Sequence, residues 1–248
     1  MNLWRVEWLR LWRTRRWLAL AGVFLFFGLL GPITAAYMDV LLGRLAGDVQ
    51  VILPPPTPVS GLEQYMGNAM QVGLLVVLAI AAGALAFDTP PERATFYRSR
   101  VSGAWPLLVP RYTVTAAAAC GAFILGTAGA WYETVILLGP LPVGAMILGT
   151  LLICLYLAFS VAVVALSAAV LRGVLGVIAL SAAILLTFPL LGLVPELRPW
   201  LPGQLLGALT GLVAGAEPAS YVRAAVVTAL ATAALLPAAA FLLGRREV

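Results

Sequence analysis

Long apolar stretches alternate along the whole chain with short segments that carry the charged residues. Seven stretches of 18 residues or more contain no charged side chain, at 17–38, 64–87, 112–132, 134–171, 173–195, 199–216 and 224–244. About 20 residues of α-helix are needed to cross the hydrocarbon core of a bilayer. This pattern predicts an all-α integral membrane protein that spans the membrane several times.

The longest uncharged stretch contains a turn signal that divides it. Gly139-Pro140-Leu141-Pro142 combines residue types that end one helix and begin another. We therefore predict six transmembrane helices in a single domain over residues 1–248. The predicted spans lie near 17–38, 66–87, 112–138, 143–170, 174–194 and 223–243.

The stretch 199–216 is too short for a comfortable crossing, and Pro202 and Gly203 interrupt it. Three small residues within it recur every four positions, a spacing that places them on one helix face for close helix packing: Gly207, Gly211 and Gly215. We predict an outer re-entrant segment of short helices over 196–218, with a seventh crossing as the alternative.

The distribution of arginine predicts the orientation of the chain. With six spans and with both termini and the loop 88–111 in the cytoplasm, only Arg44, Arg198 and Arg223 lie on the outer side. A seventh crossing would move Arg245 and Arg246 outside as well, against the positive-inside rule. We expect the outer segments to be 39–65, 139–142 and 195–222.

Residues 2–16 have the pattern of a helix that lies on the membrane surface. Arg10 and Arg13 lie roughly opposite an apolar arc, which comprises Trp4, Trp8, Leu11 and Trp12. The alternative is a basic flank that only orients the first span. The basic region is long and rich in tryptophan, which argues against a cleavable signal peptide.

The loop between the second and third predicted spans contains signals for a helix over 89–103. Thr89 can be the N-cap, Pro90 the first helical residue and Glu92 the capping-box partner, while Gly103 can end the helix. Aromatic and basic side chains follow one another in this helix, as they do at protein-docking surfaces: Arg93, Phe96, Tyr97, Arg98 and Arg100. The alternative is an ordinary solvated loop whose arginines set the topology.

Composition limits the chemistry that the chain can perform. It is 62% hydrophobic and 10% charged, with a mean hydropathy of +1.03, and it contains neither His nor Lys. Without these residues it can form no serine–histidine pair, no HExxH zinc site and no GK[ST] phosphate loop. We therefore predict no catalytic residue, no metal site and no cofactor bound by this chain. We also expect no nucleic-acid binding, and we interpret Cys120 and Cys154 as small core residues.

The layout resembles the permease subunits of the type-2 ABC exporters, the ABC-2 transporter permease family. That family has an N-terminal interfacial elbow helix, six spans, a coupling helix between the second and third spans, and re-entrant helices before the last. The local match is Glu92-Arg93-Ala94-Thr95, followed by Pro110-Arg111. It is similar to the family pattern E-R-G-T-L … P-[VS]-[SR]-R, although Ala94 replaces Gly and Phe96 replaces Leu.

The resemblance implies a multi-pass protein of the bacterial cell membrane that is not an enzyme by itself. It implies a homo- or heterodimer of permeases, in contact with membrane lipid, and separate ATP-binding subunits that hold ATP and Mg. The coupling helix 89–103 would dock on the ATP-binding subunit through Glu92, Arg93, Phe96, Tyr97 and Arg100. The spans would form the translocation path of an export substrate.

Three other functions are compatible with the composition: a secondary transporter or channel, an intramembrane enzyme, and a membrane assembly subunit. An ion path usually buries several ionisable residues, and Glu133 is the only acidic residue within a predicted span. We expect Glu133 to face protein or the outer vestibule, the alternative being a side chain that only extends to the headgroups. Polar residues in the spans are sparse, which favours an apolar or amphipathic cargo.

Overall fold

Helices are the only regular elements in the part of the chain that the structure describes. This computed structural model describes residues 3–38, 55–86 and 103–245. Its helices are α1 (Leu3–Arg13), α2 (Arg16–Ala36), α3 (Pro58–Leu85), α4 (Trp105–Leu137), α5 (Val143–Val170), α6 (Val174–Leu191), α7 (Ala208–Val213) and α8 (Ala219–Arg245). All of them except α1 and α7 are long and apolar enough to cross a membrane. The chain is thus a multi-pass membrane protein with six candidate spans in its described residues.

Helix α3 begins eight residues before the predicted start of the second span. The side chains of Thr57 and Ser60 form a reciprocal capping box, and Pro58 occupies the first turn. Both features favour helix initiation. The helix therefore includes Glu63, which the uncharged stretch had excluded. A π-helical turn at Ala69–Gly73 interrupts the helix midway.

Helix α4 also begins earlier than predicted, at Trp105 instead of near 112. Pro110 lies inside the helix, and Arg111 is buried there instead of marking its start. Gly139, with a φ of 121°, begins the turn that separates α4 from α5. Helices α3 and α4 both begin earlier than predicted for the same reason. In each case the sequence analysis took a charged residue as the edge of the span.

Aromatic side chains fill the centre of the contact between α2, α3 and α4. The rings of Phe24 and Phe123 meet edge to face at 5.6 Å, and Tyr65 stacks on Phe123 at 6.1 Å. The Tyr65 hydroxyl group hydrogen-bonds Thr127 Oγ1 at 3.2 Å. This satisfies a polar group that lies deep in the apolar core.

Helices α2 and α4 cross at backbone contact. A Cβ atom at Gly28 would collide with the carbonyl oxygen of Gly126, and one at Gly126 would lie 2.5 Å from the carbonyl oxygen of Phe24. Only glycine fits at such a crossing. Gly126 is flanked at four-residue spacing by the buried Ala122 and Ala130, a small-residue pattern that the sequence analysis did not use.

Short helices occupy the stretch between α6 and α8. Two 3₁₀ turns, Arg198–Trp200 and Pro202–Gly207, precede the six-residue α7. Leu205 and Leu209 are fully buried, and a Cβ on Gly149 of α5 would lie 2.6 Å from the Leu209 Cα. The segment therefore packs on the bundle and contains no helix of spanning length.

The glycine stripe predicted in this stretch is not a single helix face. Gly207 ends a 3₁₀ turn, Gly211 lies in α7, and Gly215 follows that helix with a φ of 96°. Among the three, a Cβ atom would meet another residue only at Gly211, where it would collide with the hydroxyl group of Tyr221. Gly207 and Gly215 therefore make no close packing contact within the described chain, and the change from 3₁₀ to α geometry breaks the four-residue period.

Candidate functional site

A buried carboxylate in α1 forms an ion pair with α4. Glu7 is 7% exposed, and its Oε1 accepts a hydrogen bond from Arg111 Nε at 2.9 Å. Arg111 is 5% exposed. A buried charge is costly unless it is paired. The pair therefore holds α1 against the first turns of α4.

The same charged group extends to the end of α3. Arg10 Nη1 lies 3.6 Å from Glu7 Oε2, and Arg10 Nη2 donates to the carbonyl oxygen of Gly83 at 3.4 Å. Arg111 Nη1 donates to the carbonyl oxygen of Ala84 at 3.5 Å. Carbonyls in the last turn of a helix lack intrahelical partners and carry the negative end of its dipole. We call Glu7, Arg10, Arg111 and these two carbonyls the charged junction.

The charged junction lies next to the segment for which docking to an ATPase was predicted. Helix α3 ends at Leu85 and α4 begins at Trp105, so both junction helices lead directly into that segment. The predicted docking residues Glu92, Arg93, Phe96, Tyr97 and Arg100 lie outside the described residues. The coupling helix therefore stays a prediction. Gly103, its predicted end, adopts a φ of 108° that favours glycine.

The tryptophans of α1 are largely exposed, although the Trp12 ring lies 4.7 Å from the Trp17 ring of α2. The side chains of Trp4, Trp8 and Trp12 are each about half exposed, whereas Leu11 is buried on the same side as Glu7. The apolar arc predicted from the sequence therefore has two parts with different surroundings. Leu11 packs on protein, and the exposed faces of Trp4 and Trp8 are free to contact lipid.

A second polar region lies at the opposite end of the bundle. A cavity of 630 Å³ opens between the first turns of α3, the end of α6, the short helices and the start of α8. Its polar lining residues are Glu63, Arg198, Gln204, Thr210 and Tyr221. Cavities of this size and mixed lining accept small ligands or headgroups.

Helix α3 exposes polar side chains along a length that is otherwise apolar. Glu63 and Gln71 are exposed, and Gln64 and Asn68 are partly exposed. Polar groups at membrane depth normally face water or protein instead of lipid. This face of α3 is therefore suited to a water-filled path or to a second protein chain.

Glu133 lies near the end of α4, four residues before Leu137, and is partly exposed. It makes no hydrogen bond or ion pair with any described residue, so the structure brings it together with none of the other predicted site residues. The sequence analysis missed Glu63, which shares α3 with Gln71 and borders the cavity, and it also missed Glu7 of the charged junction.

The cysteines and acidic residues form no metal site in the described ranges, where no group of three potential ligands is close enough to bind an ion. Cys120 Sγ lies 3.4 Å from the carbonyl oxygen of Cys154 across the contact between α4 and α5. Both thiols are free and partly buried. Their geometry is that of packing residues.

No protein-family model, characterised protein or solved structure matches this chain at a significant level. The resemblance to the exporter permeases therefore rests on the layout of the spans and on the short loop motif.

Proposed function

We propose that this chain is the membrane-spanning permease subunit of an ATP-driven exporter and that a separate subunit hydrolyses the ATP. The charged junction is the observation that supports this proposal most. It ties α1 to the end of α3 and the start of α4, the two helices that lead into 87–102. A partner that moved this segment would move three helices together.

In this proposal, ATP reaches the system only through the partner, since the chain has no Lys for a phosphate-binding loop. The helix 89–103 docks in a groove of the partner, with Phe96 or Tyr97 as the buried anchor. Arg93 and Arg100 meet acidic groups at the rim, and Glu92 holds the helix start. ATP binding then displaces the ends of α3 and α4, which alternates access to the path.

The polar face of α3 supports a path shared with a second permease copy. Glu63 and Gln71 are exposed in the single chain, and a dimer could place them against water or a partner helix. Most hydroxyl groups within the spans cannot donate a hydrogen bond to a cargo, because each already donates to a carbonyl one turn earlier in its own helix; examples are Ser160, Ser181 and Thr228. A path of this kind suits an apolar or amphipathic cargo.

Replacing both Phe96 and Tyr97 by Ala tests the docking step. Truncating a buried anchor of this kind costs about 2 kcal/mol or more of binding free energy. We expect the double variant to insert normally but to lose the ATPase during co-purification, or to uncouple hydrolysis from transport. The candidate ATPase is co-expressed with the permease, and both stoichiometry and transport are measured.

The matched control replaces two exposed aromatics at the opposite end of the bundle, Tyr37 and Tyr132, by Ala. The control should keep the complex. If the Phe96/Tyr97 variant yields a stoichiometric and transport-competent complex, the docking assignment is rejected.

A further inference from the structure

A second, smaller cavity lies between the short helices and the start of α8. It has a volume of 460 Å³, and its polar lining consists of Arg198, Arg223, Gln204 and Ser220. No carboxylate lines it, although Glu63 lines the larger cavity on the other side of Arg198. The small cavity is therefore a concave site with two positive charges and no negative one.

Both guanidinium groups are held by neutral partners. Arg198 Nε donates to Gln204 Oε1 at 3.2 Å, and the Arg223 guanidinium lies 5.4 Å from the centre of the Trp200 ring. Neither arginine forms an ion pair with a described residue, and the neighbouring carboxylates Glu196 and Glu217 are exposed. The amide and the indole orient the two arginines and leave their charge uncompensated.

The surroundings of the cavity are apolar and exposed. Leu193 is 79% exposed, and Leu197, Trp200 and Val222 are about half exposed. Exposed apolar side chains beside Trp and Arg are typical of the boundary between hydrocarbon and headgroups. A ligand at this place would meet cations in the cavity and hydrocarbon immediately outside it.

We propose that this cavity binds the phosphate of an anionic lipid headgroup, with the acyl chains lying along the exposed apolar residues. Two guanidinium groups can each form paired hydrogen bonds with phosphate oxygens, and the Ser220 hydroxyl supplies a further donor. A zwitterionic choline headgroup would bring its own cation next to the arginines and is therefore disfavoured. This site does not depend on the exporter function proposed above.

The test uses phosphatidylglycerol with a photoreactive diazirine in one acyl chain. The full-length chain is purified in neutral detergent with phosphatidylcholine, irradiated and digested, and label is mapped by mass spectrometry. We expect label on peptides from 190–226, and we expect unlabelled phosphatidylglycerol to compete while phosphatidylcholine does not. Arg198→Gln/Arg223→Gln should reduce this label about tenfold, the loss expected when charge-assisted hydrogen bonds are removed.

The matched control, Arg172→Gln/Arg245→Gln, removes two exposed arginines at the other end of the bundle, one of which also lies over an aromatic ring, Phe241. It should keep the label on 190–226. An unfolding midpoint in detergent equal to that of the parent protein shows that each variant is folded. Equal competition by phosphatidylcholine, full label in the Arg198/Arg223 variant, or no label on 190–226 would each overturn the proposal. Competition by millimolar inorganic phosphate would assign the site to soluble anions and overturn the lipid source.

Discussion

Glu7 and Arg111 hold opposite charges 2.9 Å apart in a place that is almost closed to solvent. Removing two charges from water costs several kcal/mol, and their attraction in a low dielectric returns most of it. The pair therefore adds little net stability, but removing one charge deprives the other of its partner at 2.9 Å, which is destabilising. Its value lies in fixing which parts of α1 and α4 meet.

Glu7→Gln should lower the stability of the protein by about 3 kcal/mol, because Arg111 and Arg10 then lose the carboxylate between them. The double variant Glu7→Gln/Arg111→Gln should be no less stable than the single one, since the charges interact instead of acting independently. Thermal unfolding in detergent provides the measurement. Glu217→Gln is the control, because Glu217 is exposed and forms no ion pair with a residue that the structure describes. A Glu7 variant as stable as this control would contradict the buried pair.

The sequence could not show that Glu63 and Arg111 lie inside long apolar helices. Glu63 and Arg111 each ended an uncharged stretch, so both were taken as borders, yet both lie inside a helix. Arg111 is buried against a carboxylate 104 residues away, which no local pattern can show. The sequence contained one weak indication that Glu7 is special, because it is the only acidic residue among the arginines of the first 16 residues.

At the scale of elements, the crossing of α2 and α4 is the tightest contact between two long helices. Gly28 and Gly126 bring the two backbones together without a side chain between them. For a Gly-to-Ala substitution at this crossing, helix propensity alone predicts higher stability, whereas the packing predicts lower stability. Alanine stabilises a helix by about 1 kcal/mol relative to glycine where space is open.

Gly126→Ala should therefore destabilise the bundle by about 1–3 kcal/mol, the usual cost of overpacking. Gly121→Ala in the same helix has nothing within 4 Å of the new Cβ and should leave stability equal or slightly higher. Unfolding midpoints of the two variants in the same detergent give the comparison. If Gly126→Ala had the same unfolding midpoint as Gly121→Ala, α2 and α4 would be able to move apart without loss of stability.

Two features of the helical arrangement could be predicted from the sequence. The Gly-Pro-Leu-Pro turn separates α4 from α5, and the segment before α8 contains short helices instead of a full span, both as the sequence predicted. These features depend on local residue types. The four-residue spacing of Gly207, Gly211 and Gly215 did not correspond to one helix face, because such a spacing identifies a face only if the whole segment is α-helical.

For the molecule as a whole, burial differs greatly between the spans. In an 18-residue apolar portion of α5, more than half of the residues are buried, whereas only 17% are buried in the corresponding portions of α6 and α8. Helix α5 is thus the centre of the bundle, while α6 and α8 present most of their surface to lipid or to another chain. This asymmetry is consistent with the dimer proposed above.

Cysteine labelling tests the proposed orientation of the whole molecule. In a variant without Cys120 and Cys154, Ala216→Cys should react with an impermeant thiol reagent added to intact cells, because it is exposed and predicted to lie outside. Ser102→Cys should react only after the cells are opened. Labelling of Ser102→Cys in intact cells would show that the topology is the reverse of the one proposed. The arginine distribution would then need another explanation.

The charged junction also has a consequence for the order of events during synthesis of the protein. A ribosome adds about 5 to 20 residues per second, so Arg111 emerges roughly 5 to 20 seconds after Glu7, its partner 104 positions earlier. During that interval α1 has no guanidinium from α4 to meet and can rest on the membrane surface through its tryptophans. The pair can therefore close only after the first turns of the third span, α4, have been made, and three further spans follow before the bundle is complete.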